Sequence, residues 1–172
     1  MSYRLSMKQK NWIVTVHVLS VVGWLGGAVC MLLLSRHMLV ADQGEQLYYT
    51  LENMHLIDST LIRYPALIAL VSGMVLSLWT QWGLFKYYWI LIKLVLTVSL
   101  IVFGITCMGQ WLTELFRTAD EMRLAALGNA EFVDTAYKLL GGAVANIAAL
   151  VFMTAISYFK PLGKIRKTAR KS

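Results

Sequence analysis

Four long stretches almost free of charge set the terms for any fold of this chain. A helix needs about 20 mostly apolar residues to cross a bilayer. Spans at about 12–34, 64–85, 87–111 and 139–159 meet that requirement, and Lys93 is the one Asp, Glu, Lys or Arg within them. A helix satisfies its own backbone in hydrocarbon, where no water can. The expected fold class is therefore all-α: an integral membrane four-helix bundle in a single domain over residues 1–172. With 58% hydrophobic and 15% charged residues, the chain fits neither an ordinary soluble domain nor a disordered segment. Two cysteines, Cys30 and Cys107, rule out a disulfide framework. The first apolar stretch is too long for the core of a signal peptide.

The net charge of +7 is distributed for a membrane, not for nucleic acid. Placing the N-terminus inside puts Arg4, Lys8, Lys10, Lys86, Lys160, Lys164, Arg166, Lys167, Arg170 and Lys171 on the inner face, ten of the 16 basic residues. Arg36, Arg63, Arg117, Arg123 and Lys138 fall outside, together with all nine acids. Inward bias of Lys and Arg orients membrane proteins, so the expected topology is N-in and C-in with a basic cytoplasmic tail over 160–172. Trp12, Trp79, Trp82, Tyr87, Tyr88, Trp89 and Tyr158 would form the inner aromatic belt.

The outer connections read as helix. Leu47, Tyr48, Leu51, Met54, His55 and Ile62 recur at near-helical spacing, so the first two helices should extend on the outer side to a turn near Asp42. A break is expected at Gly128-Asn129 before the last helix. The short inner link Thr80–Lys86 makes spans two and three antiparallel neighbours. Pro65, which lacks an N–H, should bend or start the second span.

Ionisable groups in a membrane mark function by default. Lys93 sits about two turns into the third span. It either snorkels to the inner headgroups or faces the bundle and pairs with an anion or ligand. His17 lies about two turns into the first span, with Ser20, Trp24 and Met31 on its helical face. It is either a structural histidine bonded to another helix or a ligand for iron, copper or zinc. His37 and His55 lie near the outer surface, roughly 12 Å apart along the folded helices at 1.5 Å per residue, too far to share one metal directly. With Arg36, Arg63 and Tyr64 they would line an outer pocket where the arginines hold propionates or another anion, and His17 and His55 are the candidate metal ligands. Cys30, Met31, Cys107 and Met108 offer soft sulfur of the kind that selects Cu(I), although isolated sulfur side chains in apolar helices more often serve packing. Gly23 and Gly27 form a G-x-x-x-G that permits close helix packing or a homodimer. No P-loop, G-x-S-x-G, H-E-x-x-H or C-x-x-C-H is present, and no acid lies within a span.

The run from Lys10 through His17 to Trp24 resembles the first span of the HemJ/CopD-like superfamily of small membrane proteins. Ser35-Arg36-His37, Tyr64-Pro65 with Ser72-Gly73, Trp89 to Lys93, and Phe159-Lys160-Pro161 are similar to later parts of that family. The resemblance implies non-covalent haem b in the four-helix bundle of a bacterial-type cytoplasmic (inner) membrane protein. Its HemJ branch oxidises protoporphyrinogen IX, and its CopD branch is linked to copper uptake or resistance. The chain departs from the HemJ branch in a longer outer segment after Arg36 and a tighter arginine–histidine spacing. The expected function is a haem-binding redox or electron-transfer protein with His17 as axial ligand and Trp24 packed on the porphyrin. Lys93 would hold a propionate or act as the opposing ligand. If the chain is an enzyme, it is a haem-dependent membrane oxidoreductase. Its expected partners are the bilayer and a quinone, porphyrin or redox protein, with no nucleic acid. The alternatives are a copper import or resistance permease and a non-catalytic membrane subunit that docks through its basic tail.

Overall fold

The computed structural model describes residues 5–80, 82–161 and 163–165. Arg4 and the tail positions Arg166, Lys167, Arg170 and Lys171 lie outside the described residues. The structure is all-α, built from four rods that are each long and apolar enough to cross a membrane. This is the architecture of a multi-pass membrane protein.

The first rod is α1 (Met7–Leu39), opened by a capping box in which Ser6 accepts from the Gln9 N–H and Gln9 returns a bond to the Ser6 N–H. Its 33 residues span about 50 Å at 1.5 Å per residue, well beyond the roughly 30 Å of hydrocarbon in a bilayer. The second rod joins α2 (Gly44–Ile57), a π segment (Asp58–Arg63) and α3 (Tyr64–Trp79). The third joins α4 (Tyr88–Phe103), a second π segment (Gly104–Met108), α5 (Gly109–Met122) and a 3-10 turn (Arg123–Gly128). The fourth is α6 (Ala130–Phe159), capped by Asn129, whose Oδ1 accepts from the Glu131 and Phe132 N–H groups. The expected turn near Asp42 and break at Gly128-Asn129 are both present. The second span is shorter than expected. It stops at Trp79, and Gly83 takes a left-handed φ of 67° in the link to Tyr88.

Pro65 sits in the first turn of α3, as expected of a residue without an N–H, and the π segment runs directly ahead of it. A helical proline frees the carbonyl four residues earlier and crowds it with its ring. That carbonyl belongs to Leu61, and it turns toward α1, coming within 3.0 Å of where a Cβ on Gly27 would sit. Gly23 faces the Pro65 ring in the same seam. The G-x-x-x-G is thus used within the chain, to seat α1 against the second rod.

Burial follows the solvent. Most of the largest fully buried side chains, among them Met38, Leu47, Leu51, Met54, Leu112, Leu115 and Leu139, lie at the far end from the termini, while Leu150 lies mid-bundle. There α2, α5 and the adjoining ends of α1 and α6 form a packed cap like that of a soluble bundle. Within the spans, large apolar side chains such as Val95, Val98, Val102 and Ile105 on the third rod are exposed at helical spacing. Lipid tails are as apolar as these side chains, so helix packing there gains little from the hydrophobic effect and relies on close contact. A smaller mid-bundle cluster joins Trp24, Ala28, Ala66, Ala69, Leu150 and Met153.

Candidate functional site

All four rods contribute polar groups to one region near the termini. His17 on α1 faces Ser72 and Gly73 on α3, and its Nδ1 lies 2.9 Å from Ser72 Oγ. The Ser72 hydroxyl donates its single proton to backbone carbonyls, at 2.6 Å to Ile68 or 3.2 Å to Ala69. With its proton on a carbonyl, Ser72 Oγ is placed to accept from the ring, and the Nδ1–H tautomer that suits this bond leaves a lone pair on Nε2. Gly73 makes room for the ring, since a Cβ there would stand 3.2 Å from His17 Cε1. On the opposite wall, Lys93 Nζ on α4 donates to Ser157 Oγ on α6 at 2.6 Å, and Ser157 donates onward to the Met153 carbonyl.

Between these two walls lies a cavity of about 390 Å³, lined among others by Lys10, His17, Trp82, Trp89, Lys93 and Lys160. That volume lies within the range of small-molecule and cofactor sites, about 300–1,000 Å³. Three ammonium groups line it and, among the described residues, no carboxylate does. Trp82 and Trp89 pack edge to face at 5.5 Å, and Lys160 Nζ sits 4.8 Å over the Trp82 ring. The cavity thus has apolar aromatic walls, a cationic rim and one imidazole. Its chemistry suits an amphipathic anion.

The structure brings His17 and Lys93 together, as their matching depth in the sequence led one to expect. It does not bring Trp24 to them. Trp24 is buried in the mid-bundle cluster, about two turns further along α1.

The expected outer pocket of Arg36, His37, His55, Arg63 and Tyr64 does not assemble. Arg36 and His37 are exposed on the last turn of α1. His37 Nε2 accepts from the Gln46 amide at 3.1 Å, while Gln46 Oε1 takes the Asp42 N–H, so this histidine braces the α1–α2 turn. His55 packs edge-on against Phe116 at 5.3 Å. Arg63 donates to Asp58 at 2.7 Å across one π turn, and Tyr64 is exposed. The reason is packing: α2 and α5 close over the far end with apolar side chains, which leaves the polar residues around the rim.

Met31 and Met108 come to line one small pocket, but Cys30 and Cys107 are not among its lining residues. Met31 belongs to the buried core, and Met108 packs against Gly142. No group of three or more His, Cys, Asp or Glu able to hold a metal occurs among the described residues.

Sequence reasoning missed Ser72 and Ser157 as the partners of His17 and Lys93. Their signal was present as hydroxyls in otherwise apolar spans, but which helix faces which is a tertiary fact. Asn146, the one amide in the fourth span, was also passed over and is buried. Comparison of the chain with family models, curated proteins and solved structures finds no match.

Proposed function

We propose that the cavity near the termini binds haem b without covalent attachment and that the protein acts in membrane redox chemistry or electron transfer. The observation that carries the reading is the oriented imidazole. His17 Nδ1 lies 2.9 Å from Ser72 Oγ, which is placed to accept an Nδ1–H, and that tautomer leaves the Nε2 lone pair for an iron. Histidines that ligate metals are commonly fixed by just such a bond from the other ring nitrogen. The residues present fit the group. His17 would hold the iron, Lys93, Lys10 and Lys160 would neutralise the propionates, and Trp82 and Trp89 would supply apolar walls. At an effective dielectric of about 20, one charge pair at 4 Å is worth about 4 kcal/mol before desolvation. Bound haem would supply one-electron chemistry at iron.

In this reading the termini face the cytoplasm. The cationic rim then lies at the inner surface, the side toward which the sequence's excess of Lys and Arg is expected to face.

The test is the haem-to-protein ratio and absorption spectrum of the purified protein and its variants. The wild type should carry haem with a Soret band, and His17→Ala should lose it. A wild-type preparation reconstituted with haem that shows no bound Soret band would sink the reading, as would His17→Ala keeping full haem with an unchanged spectrum.

A further inference from the structure

The two segments that depart from α-helical geometry border the same pocket. Asp58, Ile62 and Arg63 come from the first π segment, and Gly104, Ile105 and Met108 from the second. Such π turns are frequent at functional sites. Trp24 from α1 and Asn146 from α6 also line the pocket. They are 2% and 7% exposed, and neither Trp24 Nε1 nor Asn146 Oδ1 has a hydrogen-bond partner among the described residues. A buried polar group left unsatisfied costs about 1–3 kcal/mol, so two beside one pocket point to an occupant that satisfies them.

We propose that this pocket binds the oxygen-bearing head of an uncharged, lipid-soluble quinone or hydroquinone that enters sideways from the bilayer. Indole N–H can only donate, so the occupant must present an acceptor oxygen to Trp24. The Asn146 amide can donate and accept, which matches a ring oxygen in either its carbonyl or its hydroxyl form. A charged ligand is disfavoured, because the two charges at the pocket already pair, Arg63 Nη2 with Asp58 Oδ2 at 2.7 Å. Access is lateral: Leu67 and Ile105 line the pocket and are 42% and 60% exposed on the face turned to lipid. The pocket volume is about 50 Å³, where about 10–15 Å³ on the same measure holds one water. That space takes the oxygen-bearing edge of the ring, and the remainder lies along the lipid-facing mouth. The site rests on its own residues and holds whether or not the other cavity takes haem.

The experiment titrates a decyl-substituted benzoquinone into the purified full chain in zwitterionic nanodiscs, by calorimetry, with haem content measured on the same samples. Trp24→Phe stays aromatic while removing the N–H donor with its five-membered ring, and Asn146→Leu removes the amide. Each should raise Kd at least about tenfold, equivalent to about 1.4 kcal/mol. Gly104→Leu should block binding by filling the pocket wall. The backbone there has room for a Cβ, which meets nothing within 4 Å, and circular dichroism checks that the variant folds. Three outcomes overturn the proposal: no saturable binding to folded wild type, as when water alone fills the pocket; equal binding by all three variants; or binding lost only in His17→Ala. Quinone binding by a sample that takes up no haem would uphold this site and refute the haem reading, and haem without quinone would do the reverse.

Discussion

Adjacent glycines in α1 offer an internally controlled test of how the first two rods meet. A Cβ on Gly27 would stand 2.8 Å from Ile62 Cγ1 and 3.0 Å from both Leu61 Cβ and the Leu61 carbonyl oxygen. The Ile62 branch can shift, but the Leu61 backbone cannot move without disturbing the π segment before Pro65. Gly26, one position earlier, has nothing within 4 Å of the same added atom. Replacing glycine by alanine inside a helix gains about 0.8–1 kcal/mol from propensity alone. Overpacking a close contact costs about 1–3 kcal/mol. Gly26→Ala should therefore be stabilising by up to about 1 kcal/mol. Gly27→Ala should fall below it by about 1–3 kcal/mol, because both gain the same propensity and only one meets a neighbour. For a chain of this size each kcal/mol moves Tm by about 2–4 °C. Thermal unfolding of both variants in one detergent, followed by circular dichroism, measures the difference. Equal melting temperatures would refute the argument that the freed Leu61 carbonyl and α1 are in close contact at this point.

Ser72→Ala should lower haem affinity about 10–100-fold while His17 remains, the usual scale for losing the partner that orients a metal-ligating histidine; an unchanged haem titration would remove Ser72 from the site. Leu115→Ala, in the packed far-end cap, should cost about 2–5 kcal/mol. Val98→Ala on the lipid-exposed face of α4 should cost far less, and equal losses in denaturation would contradict the division between cap and membrane bundle. Reporter fusions at the C-terminus should be active only for a cytoplasmic reporter, and activity of a periplasmic reporter there would reverse the topology.

Much of the architecture was legible in one dimension because the bilayer is a severe solvent. Uncharged runs long enough to span it force helices, since only an internally bonded backbone is tolerated there. The extension of α1 and α2 to a turn by Asp42 was also legible, because Leu47, Leu51 and Met54 keep the spacing of a helix that buries one face. That His17 and Lys93 stand at one level followed from their depth, since spans one and three run parallel and each residue lies about two turns in; that both face one cavity is a tertiary fact.

What the sequence could not decide is which face of each rod turns inward. Rotating a helix about its axis changes no hydropathy sum, so nothing in one dimension aims Ser72 at His17, Ser157 at Lys93, or Trp24 away from both. The outer pocket of Arg36, His37, His55, Arg63 and Tyr64 failed for that reason, as α2 and α5 close on apolar faces and leave these residues at the rim. Pro65 shows the limit most plainly. Its missing N–H is a local fact, readable in sequence. That a π segment precedes it, with the Leu61 carbonyl against Gly27 and the Pro65 ring against Gly23, is visible only once α1 is packed there.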